Sequence, residues 1–215
     1  MRIAQIAQAN ISVPPVNYGG SELIISLLTE ELVRRGHSVT LFATGDSKTK
    51  AKLHSIYPKA VGFDFDSPIM HMATVSDAFR YIREDGRFDI IHNHAGHWGI
   101  ALSQLSETPV VTTLHNDYFV PGDPSFEYFR NIGHYVAISQ NQMQRMAGLN
   151  FVGMVYNAID TNMFKLTKEK DDYLFFCGNM SPHKGPEIAV KAARDLRKKL
   201  ILISKIDRRG ESGFF

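Results

Sequence analysis

The fold turns on residues 2–43, RIAQIAQANISVPPVNYGGSELIISLLTEELVRRGHSVTLFA. Arg2–Ala7 is a short, mostly apolar run of the kind that suits a buried strand. A loop with Pro14, Pro15, Gly19 and Gly20 follows. From Ser21 onward Leu23, Ile24, Leu27, Leu28 and Leu32 recur at helical spacing, and Gly36 stands where a C-terminal cap belongs. Ser38–Ala43 is the next apolar run. Strand, helix and strand make a βαβ unit, which implies parallel pairing and a right-handed crossover.

The same alternation continues outward. Residues 45–68 are polar, rich in turn formers and carry no legible period. Met72, Val75, Phe79 and Ile82 then form a helical stripe closed by Asp85–Gly86. Strands are expected at Phe88–His92, Val110–Leu114, Tyr135–Ile138 and Val152–Tyr156. Short helices are expected at Trp98–Leu105, Phe126–Asn131 and Gln140–Ala147. Asn157–Asp172 reads as a polar connector, after which the pattern restarts with strand Tyr173–Phe176, helix Lys184–Leu196 and strand Leu200–Ile203. The expected fold class is therefore α/β: a Rossmann-like parallel sheet with helices on both faces over 1–157, a linker over 158–172, and the opening βαβ of a second such domain over 173–215. That last piece buries too little to be an ordinary independent domain and reads as cut short.

Composition narrows the classes. The 215 residues are 44% hydrophobic and 21% charged, enough for a proper core and unlike a disordered chain. A formal net charge of +2 gives no electrostatic footprint for nucleic acid. Cys177 is the single cysteine, so neither an internal disulfide nor a cysteine-based zinc site can form, which favours a reducing compartment. No apolar run approaches the ~20 residues of a membrane span, and the first residues do not read as a signal peptide. The expectation is a cytoplasmic protein with no transmembrane segment.

Four stretches carry candidate chemistry. In YGGSE, Gly19 and Gly20 let backbone approach a ligand closely, and the helix start behind them offers unpaired N–H groups to an anion; a plain turn and cap is the alternative. In HNHAGH, His92, His94 and His97 follow a strand whose C-terminal end belongs to the ligand-binding edge of a parallel sheet. Their spacing is similar to the HxHxDH motif of metallo-β-lactamase-like hydrolases, but Gly96 stands at the acidic position, so histidines lining a polar pocket are favoured over a metal site. His115 and Asp117 come at the same edge, as a donor or acceptor and an orienting group or base, unless His115 merely caps its strand. In GNMSPHKG, Lys184 at an expected helix N-terminus opposes the helix dipole and suits pairing with an anion.

Taken in order, PPxxYGGxE, LFATGDS, FDIIHNH, TLHND, YVAISQ, VYNAID and GNMSPHKGPEIAVKAA resemble the group 1 glycosyltransferases, retaining enzymes of the GT-B fold, from Arg2 to about Ile203. The resemblance implies two Rossmann-like domains with a nucleotide-sugar donor between them, an acceptor on the N-terminal side, and no metal or other cofactor. By position it makes His115 the histidine beside the donor sugar, and Gly19, Gly20 and Lys184 the contacts to diphosphate or acceptor. Glu22, His94, Asp117, Ser139 and Asn157 become pocket candidates, the last where the chain crosses between domains. Asn179 stands where the family pattern has arginine, so one of two expected cations is missing. The family's pair of glutamates, eight positions apart, has no counterpart after Ile203. The implied activity is retaining sugar transfer, impaired in this chain. The alternatives are a non-catalytic module completed by a second copy or a complementing chain, and a metal-dependent hydrolase using His92, His94 and His97.

Overall fold

A computed structural model of the chain describes residues 1–62, 67–116, 119–164 and 166–204. The chain divides into two compact units, Met1–Ile159 and Asp160–Phe215. The first is a seven-stranded, wholly parallel sheet of β1 Arg2–Ile6, β2 Ser38–Phe42, β3 Lys52–His54, β4 Ile90–Asn93, β5 Val110–Thr113, β6 Tyr135–Ala137 and β7 Phe151–Met154. Their spatial order is β3-β2-β1-β4-β5-β6-β7. The chain moves one way from β1 and returns to its other side at β4, so a topological switch point lies between those two strands.

The helices between them are α1 Gly20–Arg34, α2 Pro68–Asp85, α3 His97–Ser103, α4 Pro124–Arg130 and α5 Gln140–Arg145. Alternate residues of the inner strands serve opposite faces. Ala4 and Ile6 pack with Phe42, Val75 and Ile82, whereas Ala7, Leu41 and Ala43 pack with Ile25 of α1. A third cluster joins Ile100, Leu114, Phe126, Tyr135 and Met146. The sheet is thus covered on both sides, as an all-parallel sheet requires.

Two differences from the sequence reading have physical causes. The 45–68 stretch contains the strand β3, which pairs only with β2 at the sheet edge and needs little apolar surface. The α2 face that is buried runs through Met70, His71, Thr74, Val75, Ala78 and Ile82, so the stripe is turned from the one drawn through Met72 and Phe79. Ser67 caps the start of α2 and Gly86, at φ 65°, ends it.

The second unit holds β8 Tyr173–Cys177, α6 Pro186–Asp195 and β9 Lys199–Ile203, with β8 and β9 paired in parallel. Helix α6 starts later than expected. Pro182–Lys184 is a separate 3-10 turn, and Gly185 at φ 75° redirects the backbone before Pro186 opens the helix. Lys184 therefore ends that turn instead of starting α6. Cys177 is exposed at the end of β8. Among the described residues no helix is long and apolar enough to cross a membrane.

Candidate functional site

At the switch point a cavity of about 310 Å³ opens beyond the C-terminal ends of β1 and β4. Gly19, Gly20 and Glu22 line it from the start of α1, His94 from the loop after β4, Asn116 from the loop after β5 and Asn10 from the loop after β1. This is the place where an open parallel sheet binds ligands.

Glu22 sits in the first turn of α1, buried, with its carboxyl folded back onto its own backbone N–H. Burial pushes that carboxyl up from its ordinary value. A Cβ at Gly19 would stand 2.7 Å from Glu22 Oε2, and Gly19 has φ 153°, so this residue lets the carboxyl approach the loop. Asn10 is 5% exposed, and its Oδ1 has no hydrogen-bond partner among the described residues. Asn10 and Glu22 thus bring an amide and a carboxyl to the cavity wall, polar groups that suit a polar ligand.

Behind the cavity lies a run of hydrogen-bonded rings. His94 Nδ1 is 2.9 Å from His115 Nε2, and His94 Nε2 is 2.7 Å from Gln5 Oε1. Gln5 Nε2 lies 3.5 Å from His92 Nδ1, and His92 Nε2 lies 2.7 Å from Thr113 Oγ1. Desolvation lowers all three histidines: His92 and His115 to about 4, and His94 well below its ordinary value. They are neutral imidazoles at pH 7.

The fixed backbone around these rings rests on two buried amides. Asn93 Nδ2 donates to the Gly96 carbonyl at 2.9 Å and to Thr112 Oγ1 at 3.1 Å, while its Oδ1 accepts from Ala95 N at 3.0 Å. Gln142 Nε2 donates to the Leu114 carbonyl at 3.0 Å, and its Oε1 accepts from Ile138 N at 2.9 Å. Asn93 shapes the loop that carries His94, and Gln142 holds the residue before His115.

The structure brings Gly19, Gly20, Glu22 and His94 into one cavity wall and couples His115 to it through His94. Ser139 does not line it: its hydroxyl accepts from Gln142 N at 3.1 Å and caps α5. Asn157 is exposed and is likewise not a lining residue. Lys184 is exposed and Asn179 half-buried, both in the second unit. Asp117 lies outside the described residues.

The alternative of a metal triad at His92, His94 and His97 gains no support from their placement. His92 and His94 are engaged with Gln5, Thr113 and His115, whereas His97 opens α3 and packs on Trp98, its rings 4.5 Å apart. Among the described residues no group of three metal-ligating side chains is placed to hold an ion. Gln5 and Asn10 were missed. A glutamine in the middle of RIAQIA was the available signal, since a polar side chain in a buried strand needs a partner.

Residues 18–163 match Glycosyltransferase Family 4. This chain belongs to that family. Its domain of Glycosyltransferase Family 4 thus includes the glycine pair, the histidine network and the whole sheet beyond β1. A D-inositol 3-phosphate glycosyltransferase of Pseudarthrobacter chlorophenolicus is 24% identical over 228 residues, an alignment covering 84% of this chain and 54% of that protein. The chain thus spans about half the length of this curated relative. AviGT4, a glycosyltransferase involved in avilamycin A biosynthesis, superposes with a TM-score of 0.62 at 24% identity, over 94% of this chain and 56% of its own. The sucrose-phosphate synthase of Thermosynechococcus elongatus gives a TM-score of 0.70 at 16% identity, over 97% of this chain and 63% of its own. At such identities the structural likeness of the family 4 chain to these proteins is one of fold, the Rossmann-like α/β architecture of glycosyltransferases.

Proposed function

We propose that this chain belongs to a retaining glycosyltransferase that moves a sugar from a nucleotide-diphosphate donor to a hydroxyl acceptor, and that its first unit supplies the acceptor side. The observation that carries this reading is the switch-point cavity of a family 4 domain, walled by Asn10, Glu22 and His94. Its polar lining of amide, carboxyl and imidazole suits a polyhydroxylated molecule, whose hydroxyls donate and accept.

In such a reaction the anomeric C–O bond of the donor breaks and the nucleotide diphosphate leaves with the electron pair, while an acceptor hydroxyl oxygen bonds to the same face of the sugar and gives up its proton to the departing diphosphate. Charge builds on the departing diphosphate, and preorganised electrostatics is the main source of its stabilisation. We assign that task in the first unit to the backbone at Gly19 and Gly20, with His115 beside the sugar and no metal; in the second unit Lys184 is the candidate anion contact. Glu22 complicates the helix start. Its carboxyl takes up a first-turn amide that an anion would use, so diphosphate is favoured there only when Glu22 is neutral, the form that burial promotes. Position 179 offers an amide where the family pattern has a cation, so donor binding is weak and turnover by this chain alone is slow.

The test is release of nucleotide diphosphate by the purified chain from a panel of uridine, guanosine and adenosine diphosphate sugars, with polyol acceptors. We expect slow release, a product that keeps the donor's anomeric configuration, and a loss of roughly 10²-fold in His115→Ala, the scale of one transition-state contact. An inverted product would remove the retaining assignment. Turnover at about 10 s⁻¹, ordinary for an enzyme, would remove the impairment. An unchanged rate in His115→Ala would remove that residue from the site.

A further inference from the structure

Gln5 is the one member of the buried network whose two polar atoms have fixed, opposite characters. A hydroxyl donates or accepts, and an imidazole carries its proton on either nitrogen, but an amide oxygen only accepts and an amide nitrogen only donates. Gln5 sits in the middle of β1, 0% exposed, opposite His92 in the β1–β4 pairing. Its Oε1 faces His94 Nε2 at 2.7 Å, so His94 must carry its proton on Nε2. A neutral His94 then has a bare Nδ1, and the 2.9 Å contact to His115 requires the proton on His115 Nε2. On the other side the Gln5 amide nitrogen points to His92 Nδ1, which places the His92 proton on Nε2, toward Thr113 Oγ1. One amide orientation thus determines three tautomers. The opposite orientation would reverse every bond and give His115 an N–H at Nδ1.

We propose that Gln5 is a positioning residue that, acting through His94, holds His115 as the Nε2–H tautomer, so that His115 presents a bare Nδ1 as acceptor to a hydroxyl of the bound sugar. The tautomer claim stands on the network alone; its use toward a sugar rests on the role proposed for His115 above. Lowered proton affinity at all three rings agrees with it, since a charged ring would donate from both nitrogens and break the chain. The ligand atom recognised is then a hydroxyl hydrogen, and a ligand oxygen without a proton is turned away.

Long-range ¹H–¹⁵N spectra of the full chain labelled with ¹⁵N-histidine report tautomers directly. At pH 7 we expect His92, His94 and His115 all as Nε2–H. Gln5→Met should leave His94 and His115 as tautomer mixtures. Gln5→Glu offers acceptors on both sides, so it should keep His94 and His115 as Nε2–H while switching His92 to Nδ1–H, a change that mere loss of packing does not produce. A wild-type His115 protonated at Nδ1, or unchanged tautomers in Gln5→Met, would overturn the proposal, and the wild-type spectrum decides even if both variants fail to fold. Correct tautomers together with an unchanged rate in His115→Ala would instead leave the network standing and remove the role toward sugar.

Discussion

A methyl group at Gly19 would meet Glu22 Oε2 at 2.7 Å and Pro15 Cβ at 2.9 Å, on a backbone at φ 153°. At Gly20 it would meet nothing within 4 Å. Gly19→Ala should therefore cost about 1–3 kcal/mol of stability, whereas Gly20→Ala, at the first position of a helix, should change it by about 1 kcal/mol or less and in the favourable direction. Thermal unfolding of the two variants checks this. If diphosphate lies against Gly20, nucleotide affinity falls in Gly20→Ala while its melting temperature does not. The glycine pair is plain in the sequence, but two adjacent Gly letters do not reveal which one the fold requires. Gln5 is also visible as a polar letter in RIAQIA, yet its partners stand 87 and 89 residues away, and only strand pairing brings them together.

The loop from β4 to α3 depends on one amide fitted against one glycine. Asn93 is fully buried, and a Cβ at Gly99 would fall on its side-chain amide. Asn93→Ala removes three hydrogen bonds and should cost about 2–4 kcal/mol; Gly99→Ala should cost about 1–3 kcal/mol by displacing the same amide. Because both act on one contact, the double variant should lose less than the sum, a coupling readable by denaturant titration of all four proteins. The apolar runs RIAQIA, SVTLFA and FDIIH make β1, β2 and β4 legible because central parallel strands need apolar residues on both faces. The triplet Lys52–His54 is not, because an edge strand is held by backbone pairing more than by its side chains. The start of α6 was misplaced for a related reason: Pro182 and Pro186 each open a turn, and only the positive φ at Gly185 separates the two.

At the scale of the whole first unit, the neutral histidines make stability depend on pH. His92 and His115 have folded values of about 4, below the ordinary 6.5 of the unfolded chain. Above pH 6.5 both states are neutral and the fold has its full stability. As pH falls from 6.5 toward 4 the unfolded chain takes up protons that the folded one refuses, and stability is lost; below about 4 this loss levels off. The total should be on the order of 3 kcal/mol or more, measured as a falling urea midpoint between pH 7 and 4.5. The order β3-β2-β1-β4-β5-β6-β7 sets the histidines beside the glycine pair, because β1 and β4 are neighbours and the loops after them carry Gly19 and His94.

Cys177 gives the molecule a practical handle. It is the sole thiol of the sequence, exposed on β8 immediately before the Gly178–Gly185 segment that holds Asn179 and Lys184. A maleimide dye therefore attaches at one defined point, and its emission would sense a nucleotide settling near that lysine without any engineered cysteine.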